Sequence, residues 1–176
     1  AAMLYDVEQV EILLGPQGTR YGSNALAGLI NLQSKAPTNE TSYGLQLESA
    51  NHNSTGLAGY LSGSASKNLR YRLSAQNLES DGFNTNQFLR KKTNKRNEGI
   101  VRGKLHWSLS DFTDLEITAS TIDIDNGYDA FSLDNVRDTL SDQPGFDRQK
   151  SDILSTKLLL SQFESFKVEA LVGYAE

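Results

Sequence analysis

From Ser42 onward, apolar and polar residues alternate one by one in segment after segment, and this period of two constrains the fold more than any other feature. An α-helix would scatter such a pattern around its axis, whereas a β-strand sorts it onto two faces. Leu69, Tyr71, Leu73 and Ala75 fall on one face, against Arg70, Arg72, Ser74 and Gln76 on the other. Val101, Gly103, Leu105, Trp107 and Leu109 oppose Arg102, Lys104, His106, Ser108 and Ser110. Leu115, Ile117 and Ala119 oppose Glu116, Thr118 and Ser120, and comparable segments surround Leu45, Gly59, Leu158 and Val172. Seven antiparallel strands are expected, with Ile122, Ile124, Leu159 and Leu171 breaking the rule on nominally polar faces.

Alternation does not say which face is dry. A soluble sheet buries its apolar face against a second layer, whereas an outer-membrane barrel turns that face to lipid. The connections discriminate: on one side they run to roughly 4, 18 and 26 residues, and on the other, near Ala65–Asn68, Ser110–Asp114 and Gln162–Ser165, to about 4–5. Barrels of the bacterial outer membrane have this asymmetry, and a soluble sandwich has no cause for it. No apolar run approaches the ~18 residues of a membrane helix. Seven strands cannot close such a barrel, and the last runs to Glu176 without a turn, so the chain is expected to be a fragment. Ala1–Val10 has no basic start and carries Asp6 and Glu8, so no secretory signal is expected within it.

The first part of the chain has a different texture. Val7–Leu14 reads as a strand running into Gly15-Pro16-Gln17-Gly18, where glycine and proline demand turns. A second short apolar segment follows at 25–32, then the linker-like Ser34-Lys35-Ala36-Pro37-Thr38-Asn39. A boundary is expected at Pro37, dividing the chain into 1–37 and 38–176.

The run from Gly15 to Leu32, containing Gly15, Pro16, Gly18, Arg20, Tyr21, Gly22, Gly28 and Asn31, resembles the carboxyl-terminal half of the plug domain of TonB-dependent outer-membrane receptors. Ser80-Asp81-Gly82-Phe83, the segment Asn126–Asn135 and Ser141–Gly145 resemble the first long loops of such receptors. The resemblance implies a mainly β chain: residues 1–37 would be the end of a plug, and 38–176 the first strands of a transmembrane barrel of ~22 strands. It implies energy-coupled uptake of a scarce nutrient, most commonly an iron chelate, across the bacterial outer membrane. TonB would engage a segment upstream of this chain. Many family members carry arginine before the Gly-Pro pair, where it pairs with barrel carboxylates; here that position is Leu14, and Arg20 is the candidate substitute. A passive solute-selective porin or adhesin barrel and a soluble β-sandwich carbohydrate binder are the competing readings.

Other chemistry is poorly represented. Cysteine is absent, the only histidines, His52 and His106, lie far apart, and the Ser64-x-x-Lys67 spacing arises by chance in a serine-rich chain. There is no Walker loop or dinucleotide fingerprint, and neither catalysis, a cofactor nor a protein-held metal is expected. With 17 basic and 22 acidic residues, the net charge of −5 supplies no field for nucleic acid. If the barrel reading holds, Arg70, Arg72, Arg102 and Lys104 face the lumen and outer-membrane lipid surrounds the apolar face. Tyr128 and Phe131, in an aspartate-rich loop with Asp123, Asp125, Asp129, Asp134, Asp138 and Asp142, are candidate aromatic platforms for a bulky ligand. The basic run Arg90–Arg96 is either a solvated loop or a contact for lipopolysaccharide phosphates or an anionic ligand.

Overall fold

The computed structural model describes residues 4–21, 25–130, 134, 136–163 and 166–176, with Arg20 described through its backbone alone. Contacts divide the chain into two compact units, Ala1–Ala36 and Pro37–Glu176. No helix among the described residues is long and apolar enough to cross a membrane.

The first unit is an antiparallel hairpin of β1 (Val7–Leu14) and β2 (Gly28–Ser34), with the short helix α1 (Gly18–Tyr21) in its connection. Ile12 pairs with Ile30 and Leu14 with Gly28. The chain leaves β1 through Gly15 at φ +82°, a left-handed conformation that costs glycine little. Gly15 N–H then donates to Ala27 (3.2 Å) and Gln17 N–H to Ala25 (2.8 Å), which closes the turn. Across the pair, Asn31 Nδ2 donates to Glu11 Oε2 at 2.9 Å.

The second unit is built on β3 (Ser42–Ala50), β4 (Ser54–Ser64), β5 (Leu69–Ser80), β6 (Asn84–Asn86), β7 (Lys91–Thr93), β8 (Arg96–Ser110), β9 (Thr113–Tyr128), β10 (Asp138–Thr139), β11 (Gly145–Leu160) and β12 (Val168–Ala175). Seven of these form one sheet in the order β12-β11-β9-β8-β5-β4-β3, every neighbouring pair antiparallel. Long and short connections segregate to opposite ends of it. The longer ones, 81–95 and 129–144, contribute β6, β7 and β10, which form a separate three-stranded sheet in the order β10-β6-β7.

Two expectations need correction. The third long connection is shorter than the alternation suggests, because β9 and β11 continue pairing up to Tyr128 and Gly145. Asp123 and Asp125, expected in a loop, are therefore strand residues. Both faces contribute: Asp123 lies opposite Lys150 and Asp125 opposite Arg148, with Arg148 Nε 2.7 Å from Asp125 Oδ1, while on the other face Ile122 pairs with Ile100 and Ile124 is buried. Oppositely charged cross-strand pairs and isoleucines that switch faces sustain the ladder beyond the regular alternation.

Burial in the main sheet is the reverse of a soluble sheet's. On the polar face, Ser62, Arg72, Ser74 and Glu98 are 0%, 5%, 7% and 1% exposed. On the apolar face, Leu73, Val101 and Trp107 are 53%, 54% and 47% exposed. The polar side chains occlude one another. The Tyr60 ring lies where a Cβ on Gly44 would stand 2.5 Å from its Cε1, so the missing side chain on β3 makes room for the ring. Arg72 stacks on the same ring with its Cζ 4.3 Å from the centroid. Ser62 Oγ accepts from Thr38 N–H at 2.9 Å and donates to the Tyr71 carbonyl at 3.0 Å. An apolar face of this extent left open in water would be an aggregation liability.

Candidate functional site

The long-connection end of the sheet is organised around one carboxylate. Asp129 follows the end of β9 and is 2% exposed. Its Oδ2 accepts from Asn86 Nδ2 (3.1 Å), Thr93 Oγ1 (2.8 Å) and Thr139 Oγ1; its Oδ1 accepts from Ala130 N–H (2.8 Å) and Ser141 Oγ. Asn86 also donates to the Ser141 carbonyl at 2.8 Å and accepts from Leu89 N–H at 2.8 Å. Burial alone would raise the Asp129 pKa, but the donors, Ser141, Thr139, Thr93 and Asn86 in falling order, outweigh it and hold the carboxyl well below the usual range. One ionised group thus ties β6, β7 and β10 together. The surrounding turn depends on Gly82 at φ +92°, where a Cβ would stand 2.1 Å from the Thr93 carbonyl oxygen.

Below this loop sheet the polar face of β5 and β8 carries a block of cations. Arg72 lies opposite Lys104, Ser74 opposite Arg102, and Arg70 opposite His106, so the four basic residues singled out in the sequence share one face. Carboxylates stand beside them: His106 meets Asp114 (3.1 Å) and Glu116 (3.3 Å), and Lys157 meets Glu169 (3.2 Å). Arg70 Nη1 reaches Asn39 Oδ1 at 3.4 Å. Mixed charge of this kind suits a wet surface that contacts a polar partner; among the described residues no group of carboxylates and histidines is arranged to hold a metal ion.

The remaining candidates are dispersed. Tyr128 closes β9, half exposed, while Phe131 lies outside the described residues, as do Gly22 and the side chain of Arg20. Leu14, where many TonB-dependent receptors carry arginine, is 84% exposed. The Asp129 partners were not apparent from the sequence: Asn86 is 43 residues away and Thr93 36, and nothing in the pattern singled out Asn86, Thr93, Thr139 or Ser141.

No family model matches the chain. A curated relative, the probable TonB-dependent siderophore receptor PirA of Acinetobacter baumannii, is 33% identical over 118 residues, covering 60% of this chain and 16% of the relative. The ferric yersiniabactin uptake receptor FyuA of Yersinia pestis superposes with a TM-score of 0.82 at 20% identity, over 97% of this chain and 28% of that one. The ferripyoverdine receptor of the outer membrane of Pseudomonas aeruginosa, bound to ferripyoverdine, gives 0.76 at 20% identity, over 98% and 24%. The chain is similar, over part of its length, to TonB-dependent outer-membrane receptors. It spans about a sixth of the curated relative it matches and has the fold of part of a plug followed by strands of an incomplete barrel. The relatives it matches are named as siderophore and ferric-chelate receptors, one of them a receptor of the outer membrane.

For strands of a barrel of this fold the inverted sheet has a direct consequence. Leu105, on the apolar face opposite Tyr71 and Ile117, stands amid the exposed apolar band that would meet lipid in an outer-membrane barrel. Leu105→Arg in the full-length receptor is expected to destabilise the inserted barrel by ~2–4 kcal/mol, whereas Lys104→Leu one residue away should not. Urea titration of folding into lipid vesicles measures both; equal costs would contradict the assignment of faces.

Proposed function

We propose that the receptor containing this chain takes up a ferric chelate of the siderophore class across the outer membrane, in a step energised through TonB. In this reading residues 1–37 form the carboxyl-terminal part of the plug, with Gly15, Pro16, Gly18, Arg20, Tyr21, Gly22, Gly28 and Asn31 shaping its turns. Residues 38–176 supply the first barrel strands, and Arg70, Arg72, Arg102 and Lys104 line the lumen. Tyr128 and Phe131 contact the ligand from the loop end, and TonB engages a segment upstream.

The observation that carries this reading is the joint presence of the glycine-turned hairpin and a sheet whose apolar face is open while its polar face is occluded. A passive porin needs no such hairpin, and a soluble sandwich would bury the leucines. Support for an iron chelate as cargo comes from the relatives, since receptors named for siderophores, ferric yersiniabactin and ferripyoverdine share the fold. The lumen cations suit an anionic chelate through charge-assisted hydrogen bonds. The test is iron-55 uptake from a panel of catecholate, hydroxamate and mixed-ligand ferric chelates by cells with and without the gene for the full-length receptor. Loss of uptake for one chelate class in the deletion strain is expected; unchanged uptake across the panel would refute the reading.

A further inference from the structure

From the contacts of residues 37–41 we infer that this segment, linker-like in sequence, is a clasp fixed to the sheet, so that movements of the first unit end at Ala36. Pro37 is buried, and Thr38 is bonded to Ser62, a hydroxyl residue with 0% exposure. Thr38 N–H donates to Ser62 Oγ at 2.9 Å, and the Ser62 hydroxyl donates in turn to the Tyr71 carbonyl at 3.0 Å. One side chain thus couples the segment to both β4 and β5. The Thr38 hydroxyl lies 2.9 Å from Ser62 Oγ and 2.8 Å from the Glu40 carbonyl, so its proton has an acceptor on either side. Its oxygen is also 3.2 Å from Ser42 Oγ, at the start of β3.

The next residues are held in the same way. Ser64 Oγ donates to the Asn39 carbonyl at 2.8 Å, and Arg70 Nη1 donates to Asn39 Oδ1 at 3.4 Å. Thr41 packs on Gly63, where a Cβ would stand 3.2 Å from Thr41 Oγ1 and 3.3 Å from its Cα. Three consecutive residues of β4, Ser62, Gly63 and Ser64, therefore each carry part of the segment. A free tether would leave its backbone groups to water; here the Thr38 N–H and the Asn39 carbonyl are bonded to side chains of the sheet.

The first unit is built to yield more easily. Its hairpin begins with Val7 opposite Ser34, and Lys35 N–H donates to the Asp6 carbonyl at 3.1 Å, so the two ends of the hairpin emerge side by side. A load applied between those ends opens the strand pairs one at a time. Only Ala36 then separates Lys35 from the buried Pro37. Beyond it the load meets the clasp, backed by β3, which pairs with β4 over all nine of its residues. What supplies such a load rests on the proposed reading, in which TonB pulls on the plug; the clasp would let the hairpin open while the first barrel strand stays in place.

The test pulls the full-length receptor, inserted in lipid vesicles, from its amino terminus by single-molecule force spectroscopy and measures the chain length released before the first barrel strand ruptures. This chain has no cysteine of its own, and Thr38 Oγ1 and Ser62 Oγ are 2.9 Å apart, so Thr38→Cys with Ser62→Cys places two thiols within disulfide reach. The oxidised variant gives the length of a chain locked at position 38. The wild type is expected to release the same length, and Ser62→Ala with Ser64→Ala to release up to ~14 Å more, the extended span of residues 38–41. A wild type longer than the oxidised variant by that span would overturn the inference, as would serine variants that release no more than the wild type. If the cysteine pair prevents insertion, the serine variants against the wild type decide. Iron-55 uptake separates this inference from the transport reading. An oxidised receptor that fails to take up chelate while its reduced form succeeds would overturn the clasp; absence of uptake in every form, with the released lengths as expected, would refute the transport reading and leave the clasp standing.

Discussion

Deleting TonB should lower uptake of the ferric chelate by the full-length receptor to the level of a strain that lacks the receptor, while surface binding persists. The expectation combines two parts of the chain that act differently. A barrel wide enough for a bulky chelate must be closed by its plug, and the hairpin of β1 and β2 belongs to such an element in the proposed reading. Spontaneous opening of an element held by ~4 kcal/mol occurs in about one molecule in a thousand, too rarely for useful flux without work supplied from outside. Recognition needs no such work, because the loop sheet of β6, β7 and β10 is already assembled by internal hydrogen bonds. Iron-55 uptake and binding, measured in parallel in the deletion strain and after collapse of the proton-motive force, separate the two steps. Undiminished uptake would favour a passive channel; loss of binding together with uptake would place recognition elsewhere than on the loops and plug.

Replacing Asp129 by alanine should unfasten the loop sheet while leaving the barrel inserted. The side chain is buried, and its removal leaves Asn86, Thr93, Thr139 and Ser141 without their common acceptor. An unsatisfied buried donor costs ~1–3 kcal/mol; with some of the hydroxyls turning to other acceptors, a net loss of about 3 kcal/mol is expected. Asp129→Asn keeps the shape but presents an NH₂ group to donors, and should recover only part of the loss. Hydrogen exchange at 84–93 and 138–141 is the readout, with chelate affinity alongside. Acceleration confined to these segments is expected, and protection unchanged from wild type would show that the cluster holds nothing together. The pH dependence has a definite sign. Because the folded-state pKa is depressed, the contribution of Asp129 is complete above the ordinary aspartate value of about 3.9 and is lost only as pH falls below it toward the folded value. The loops should therefore stay assembled through mildly acidic conditions and loosen only in strong acid.

The seven-stranded antiparallel sheet and the sorting of its two faces are legible in the chain, because alternation is a local property: each of Arg70, Tyr71, Arg72 and Leu73 takes its side from its neighbour along the strand. So is the segregation of long and short connections, and the glycine-turned run from Gly15 carried the family resemblance. Where the pattern is not local, it failed. The extension of β9 and β11 rests on Asp123 facing Lys150, Asp125 facing Arg148 and Ile122 facing Ile100, pairs made between strands that a single strand's periodicity does not encode. The fastening of Asn86, Thr93, Thr139 and Ser141 on Asp129 depends on loops brought together by strand register. These features arise only on folding, because hydrogen bonds and charge pairs between distant segments leave no periodic trace in the chain that forms them.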